Sequence, residues 1–372
     1  MNHHTIPIGR IMGIPIGLDY SWFLIFVLLT WSFAVNYYPA EFHDWAAPTY
    51  WLTGAATAIL LFVSVLIHEL GHSVIALRYK IPIRNITLFL FGGVAQMAAE
   101  PTSASAEFWI SIAGPATSFG LAALFYLFTG FVGAVPPLLG LVKYLAYMNF
   151  SLVVFNLLPG FPLDGGRVFR AIVWGLSHNF QKATRIAAGA GRFVAFLFIV
   201  LGVWQVFAGN IGNGLWIAFI GWFLDSAASS QVQQQRVQSL LAGHKVSSAM
   251  NRRFIEIPAN VSVQQLVDKH ILTSGGRAFV VKRKNKVAGL LTLHRVREVP
   301  RAQWSATRVD QVMIPEAHMK RTRPDAELWE CFSAMNRDGV NQLPVMTHGE
   351  ISGMLTREDI ITYIHSLENI TA

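Results

Sequence analysis

Six long apolar stretches mark the first 230 residues, at about 18–38, 51–77, 108–132, 138–158, 188–208 and 213–229. A bilayer core of about 30 Å takes roughly 20 apolar residues as α-helix, so each stretch is read as a membrane span. Two connections are too apolar or too broken to be ordinary loops. Residues 81–99 set a β-branched and aromatic run around Gly92-Gly93, which predicts a β-hairpin, with a short interfacial helix as the alternative. Unpaired backbone is not tolerated facing lipid, so such a hairpin must be buried in protein or line a cavity. Residues 156–167 hold Pro159, Pro162, Gly160, Gly165 and Gly166, a density of breakers that predicts no regular helix there.

After residue 230 the pattern changes. A Gln-rich stretch, Gln231 to Gln235, continues the last helix or links to the next domain, within a linker over 231–245, and the sequence then repeats itself. Val246-Ser-Ser-Ala-Met250 returns as Val309-Asp-Gln-Val-Met313, and Gly289-Leu-Leu-Thr292 returns as Gly353-Met-Leu-Thr356. Each unit, 246–300 and 309–366, mixes short strands with an amphipathic helix, at 261–272 and 325–337. Two such units can bury their apolar faces against each other. The expected architecture is a polytopic α-helical membrane domain of about six helices over 1–230, with an apolar hairpin, followed by an α/β repeat domain.

Composition agrees with this division. The chain of 372 residues is 53% hydrophobic and 13% charged, with a mean hydropathy of +0.43. A soluble domain is about 25% charged, so one soluble globule is excluded. Residues 1–230 carry 10 Lys/Arg and 8 Asp/Glu, whereas residues 231–372 carry 19 and 13. The net charge of +8 forms no long basic run and gives no argument for nucleic acid. Basic residues of the membrane part gather in alternate connections: Arg10; then Arg78, Lys80 and Arg84; then Arg167, Arg170, Lys182 and Arg185. Lys/Arg excess marks the cytoplasmic side, so both termini are expected in the cytoplasm. The N-terminus reads as an uncleaved start running straight into the first span. A single cysteine, Cys331, excludes an intrachain disulfide and any Cys-based metal cluster within the chain.

The second span contains His68-Glu69-Leu70-Gly71-His72. On a helix, residues i and i+4 share a face, so the two imidazoles can grip one metal ion, with Glu69 beside them to take a proton from water. No other charge lies between Trp51 and Leu77. A carboxylate at the centre of a membrane helix costs about 2.5–3.5 kcal/mol on insertion scales, and a bound cation would offset this. Polar packing between helices accounts for one intramembrane histidine but poorly for the triplet. A catalytic zinc has three protein ligands and one open position. Candidates for the third are Asp19, Asp164 and Asp225. Asp164 stands out because it lies in the broken segment, whereas the other two fall near span ends, where snorkelling or capping explains them.

With these residues in view, the chain resembles the site-2 proteases, peptidase family M50. The resemblance rests on 68–72, on Asn156-Leu-Leu-Pro159-Gly-Phe-Pro162-Leu-Asp164-Gly-Gly166, on Gly114-Pro115 and on Gly92-Gly93. It implies an intramembrane zinc metalloprotease with Zn2+ held by His68, His72 and Asp164. Glu69 would be general base and then proton donor, and Asn156 a stabiliser of the carbonyl oxygen. Phe91, Gly92 and Gly93 would form a strand edge that receives the unwound substrate, or a turn that only closes the bundle. Gly114-Pro115 reads first as a helix kink. Substrates implied are membrane-anchored regulators such as anti-sigma factors or tethered transcription factors, and the segments 79–107 and 159–187 are too short for the PDZ insertion that some members carry.

Residues 246–300 and 309–366 resemble a tandem of CBS domains, which bind adenine nucleotides such as ATP or AMP. The resemblance points to Thr356 and Asp359 in the second unit and to Thr292 in the first, where Arg295 replaces the Asp. A ligand-free dimerising module, making the chain a homodimer, is the alternative. Intramembrane His, Glu and Asp lining an ion path would make the chain a CBS-regulated channel or transporter instead. An inactive relative that binds membrane helices without cutting them is a third reading.

Overall fold

The computed structural model describes residues 5–90, 92–274, 276–284 and 286–371. It resolves into two compact units, Met1–Gln233 and Gln234–Ala372.

The first unit opens with two strands rather than a span, which corrects the expectation for the N-terminus. Strand β1 (Thr5–Ile11) turns at Met12-Gly13 into β2 (Ile14–Asp19). Both turn residues have positive φ, 52° and 80°, the backbone of the tight turns that suit the twist of paired strands. Helix α1 (Tyr20–Glu41) follows, with the Asp19 carboxylate accepting from the Ser21 amide at 2.9 Å as its N-cap. Helix α2 (Ala47–Arg78) is 32 residues long, about 48 Å at 1.5 Å per residue, and so exceeds a perpendicular crossing. The apolar connection after it is the expected hairpin, β3 (Ile83–Phe89) and β4 (Gly92–Met97), antiparallel with Leu88 opposite Gly93. The four strands form one sheet in the order β1-β2-β3-β4, with β2 and β3 parallel.

Four more helices follow in this unit before the one that leads out of it: α3 (Ala104–Phe128), α4 (Pro136–Asn156), α5 (Asp164–Ser177) and α6 (Phe180–Phe207). Among the described residues five helices, α1, α2, α3, α4 and α6, are long and apolar enough to cross a membrane. The sixth expected span, 213–229, is the first part of α7 (Ile211–Leu241), which continues unbroken through the Gln-rich stretch and whose second half is polar. The breaker-rich segment is irregular only over 157–163, and α5 begins at Asp164 itself. Gly165 and Gly166 are therefore helical, in the first turn, where the missing side chains let α5 lie against the backbone of Leu157–Phe161.

The second unit carries the repeat in its backbone. Strands β5 (Ile255–Pro258), β6 (Ala278–Arg283), β7 (Lys286–Thr292) and β8 (Ile314–Pro315) make one sheet; after helix α8 (Leu328–Arg337), β9 (Gln342–Thr347) and β10 (Glu350–Thr356) make another. Hairpins β6–β7 and β9–β10 share the same alternation of buried and exposed positions, residue for residue. Val280 and Leu290 of one hairpin and Met354 of the other meet in a common core, the mutual burial that the repeat predicts. Helix α9 (Arg357–Thr371) closes the unit.

Candidate metal centre

Two helices and one loop bring three donor atoms together. His68 and His72 stand one turn apart on α2, and Asp164 is the first residue of α5. His68 Nε2, His72 Nε2 and Asp164 Oδ2 form an equilateral triangle with edges of 3.2 Å. Donors about 2.0–2.1 Å from a tetrahedral ion are separated by about 3.3 Å, so the triangle has the dimensions of one face of such a site. The other ring nitrogens are engaged. His72 Nδ1 donates to the Ile110 carbonyl at 2.6 Å, and a carbonyl can only accept, so Nε2 is left as the lone-pair donor. His68 Nδ1 meets Ser118 Oγ at 2.9 Å. Such contacts hold a ligating imidazole in one tautomer and one orientation.

Space for an ion is also present. A Cβ on Gly114 would lie 2.6 Å from His68 Nε2 and closer still to His72 Nε2. The glycine expected as part of a kink also leaves room over both imidazoles. Helix α3 runs on through Pro115. Asp19 caps α1 and Asp225 pairs with Arg192 at 3.1 Å, so among the candidate aspartates only Asp164 joins the histidines.

Glu69 sits beside this triangle and against the hairpin. The Ala95 amide of β4 donates to Glu69 Oε2 at 3.1 Å. A Cβ on Gly93 would lie 2.7 Å from Glu69 Cγ, so only glycine lets the strand pass this close. Among the described residues β4 is paired only with β3, and the side of the strand that faces Glu69 carries no further strand. Gly92 has φ +130° and begins β4. Phe91, also expected at this edge, lies outside the described residues. Asn156 is the last residue of α4, half-buried, and the carbonyl of its neighbour Leu157 packs against Gly165.

The sequence reading missed the residues on α3 that serve the centre, Ile110 and Ser118, and a buried ion pair next to it. Glu107 in the first turn of α3 and Arg170 on α5 are both almost fully buried. Arg170 Nε donates to Glu107 Oε1 at 2.7 Å, and Nη2 reaches the same oxygen. The guanidinium lies between the Phe161 and Phe180 rings, at 5.0 and 4.7 Å from their centroids. Arg170, expected among the basic residues that set topology, is instead engaged by Glu107 inside the protein. The only local signal was a carboxylate, Glu107, at the very start of the apolar stretch 108–132.

In the second unit, Thr292, Thr356 and Asp359 line one cavity of about 1440 Å³, together with Arg253, Arg277 and Arg295. Asp359 Oδ2 accepts from the Thr356 amide at 2.9 Å and from its hydroxyl at 2.6 Å, so this pair also caps α9. Thr292 is the N-cap of the short helix Leu293–Glu298.

Known proteins resemble the chain along nearly its whole length. The sequence matches peptidase family M50 over residues 56–138 and 134–200, and the CBS domain over residues 309–366. Rip3 of Mycobacterium tuberculosis, which its name places with the zinc metalloproteases, is 35% identical over 365 residues, covering 97% of this chain and 93% of that protein. The similarly named sll0528 of Synechocystis is 32% identical, covering 96% and 95%. The site-2 protease structure from Methanocaldococcus jannaschii is 31% identical, covers 61% of this chain and 95% of its own, and superposes with a TM-score of 0.43. Membership in this family replaces the channel reading with hydrolysis: the chain belongs to peptidase family M50, the site-2 proteases, and is a zinc metalloprotease with a C-terminal CBS domain.

Proposed function

We propose that the chain cleaves peptide bonds in or next to the transmembrane helices of membrane-anchored proteins, with His68, His72 and Asp164 as zinc ligands and Glu69 as general base. The observation that carries this reading is the 3.2 Å triangle of donors in an apolar helix pair, with Glu69 beside it. Zinc held there supplies Lewis acidity, bringing the pKa of water close to 7 and polarising the scissile carbonyl. Glu69 accepts the proton of the attacking water and returns it to the leaving nitrogen. Asn156, at the end of α4, is proposed to donate to the carbonyl oxygen as charge develops on it.

A peptide bond within a helix is shielded by its own hydrogen bonds, so the substrate must unwind before it is cut. The edge of β4 offers a place for the unwound strand, at Gly92 and Gly93, by strand addition. Because Glu69 already lies along that edge, a strand added there passes the general base. Membrane-anchored regulators, such as anti-sigma factors or tethered transcription factors, are the proposed substrates. The paired repeats are proposed to lie in the cytoplasm and to bind ATP or AMP in the cavity lined by Thr292, Thr356 and Asp359, and through it to set activity. Homodimerisation through the repeats is a compatible use of the same unit.

The test is metal analysis of the purified protein together with cleavage of a single-pass model substrate. Glu69→Gln is expected to keep one zinc per chain and to lose cleavage by a factor of at least about 100. Asp164→Ala and His72→Ala are expected to lose zinc. Full cleavage by Glu69→Gln would overturn the assignment of the base. Activity unchanged across physiological ATP and AMP would overturn nucleotide control.

A further inference from the structure

We infer that Glu107 and Arg170 are positioning residues for the metal site: their buried ion pair sets Asp164 against the two histidines, with α3 as the common reference. This rests on the reading of Asp164 as a zinc ligand. The argument begins with α3. Glu107, Ile110, Gly114 and Ser118 follow at i, i+3, i+7 and i+11, so they form one stripe along the helix. Three of the four act on the histidines directly. Ile110 accepts from His72, Ser118 meets His68, and Gly114 leaves the space over both Nε2 atoms. The fourth, Glu107, reaches across to α5, the helix that begins with Asp164. One face of one helix therefore fixes both halves of a site whose ligands come from residues ninety-six positions apart.

Arg170 is built to transmit that reference. Its guanidinium packs on Phe161, in the loop just before Asp164, while Arg170 itself lies on α5 after it. Asp164 is thus bracketed by two members of the same cluster. The Phe180 ring covers the other side, and Thr184 Oγ1 accepts from Nη1 at 3.4 Å. Two donors on Glu107 Oε1 and a third on Thr184 Oγ1 require the arginine fork, which a lysine does not reproduce. The arrangement is also selective in what it holds. Gly165 and Gly166 let α5 slide close to 157–161, and no side chain at those two positions keys the helix. The ion pair provides the missing key. Among the described residues Glu107 Oε2 has no hydrogen-bond partner, and both contacts from Arg170 fall on Oε1.

The experiment measures zinc affinity of the full-length protein in detergent, by competition with a chelator, beside kcat, KM and the melting temperature. Arg170→Lys, Glu107→Gln and the milder Thr184→Val are compared with Arg192→Gln, which breaks the exposed pair with Asp225 in the same unit. For Arg170→Lys and Glu107→Gln the expected result is zinc binding about 10–100-fold weaker, the range for groups that orient ligands. Cleavage at saturating zinc should show a reduced kcat with KM unchanged. Arg192→Gln should change neither, and Thr184→Val should fall between. Zinc affinity and kcat equal to wild type in Arg170→Lys or Thr184→Val, with only the melting temperature lowered, would reduce the pair to a structural role. Wild-type protein that binds no zinc would remove the ligand assignment itself, and that result is separable because it precedes any substitution.

Discussion

At the scale of single residues, the most exacting position is one without a side chain. Gly114 lies in the middle of α3, where alanine is favoured over glycine by about 1 kcal/mol in helix propensity. Propensity therefore argues for alanine, and the site argues against it. A methyl at 114 would occupy the space next to both Nε2 atoms. The imidazoles cannot swing clear without giving up Ile110 and Ser118. Gly114→Ala is expected to keep its helix content in far-ultraviolet circular dichroism, to melt at a lower temperature because the displaced imidazoles lose those contacts, and to lose most of its zinc by metal analysis. Retention of stoichiometric zinc would show that the ion sits elsewhere. His68, Glu69, His72 and Asp164 were legible in the sequence because charges and imidazoles in apolar surroundings are costly and so conspicuous. Glu107 and Arg170 were not, because Glu107 falls at the start of a span, where snorkelling explains it, and Arg170 in a connection, where a basic residue is ordinarily read as setting topology. Only the fold pairs two residues that lie sixty-three positions apart.

Elements were legible where the signal is local. The 81–99 hairpin announced itself by β-branched residues around Gly92-Gly93, and the structure has it. The β1–β2 hairpin was missed because Pro7, Gly9, Pro15 and Gly17 weaken every local strand signal. Its stability comes from the parallel docking of β2 on β3, a pairing of Ile16 with Ile86 that no local window contains. Helix α5 was missed for a related reason: Gly165-Gly166 reads as a breaker locally but serves close packing in the fold. Strand β4 offers a test at this scale. Ala95 donates outward to Glu69 rather than to β3, so proline at 95 removes only that donor, which edge strands tolerate. A hydrogen bond to a charged group contributes about 1.5–3 kcal/mol, a factor of about ten or more in rate if Glu69 needs it for its alignment. Ala95→Pro is expected to keep zinc and to lower kcat/KM on a model substrate by about tenfold. Unchanged cleavage would mean that Glu69 is oriented by other groups during the reaction.

Across the whole molecule, the repeat in the second unit was readable because Gly289-Leu-Leu-Thr292 and Gly353-Met-Leu-Thr356 sit at matching places in two hairpins of one design. The proposed sidedness rests on charge and needs the first part of α7 to cross as the sixth span, since five crossings alone would leave the repeats on the side opposite the N-terminus. With Arg170 committed to Glu107, the basic residues left to mark that connection are Arg167, Lys182 and Arg185, which still outnumber the acidic groups there. On the proposed sidedness the 42–46 connection, with Asp44 and no Lys or Arg, lies on the opposite side. The chain's only cysteine makes this measurable. Cys331 is buried, burial pushes its thiol above the usual range, and Thr322 Oγ1 lies 3.0 Å from the sulfur. Thiolate is the reactive form, so the native protein should label slowly with a maleimide. Single cysteines placed at exposed His43 and exposed His348 then report on each side. A membrane-impermeant maleimide applied to intact cells should label the His43→Cys protein at once and the His348→Cys protein only after permeabilisation. The reverse pattern would put the repeats outside the cell, beyond reach of cytoplasmic ATP and AMP, and would remove nucleotide control along with the proposed sidedness.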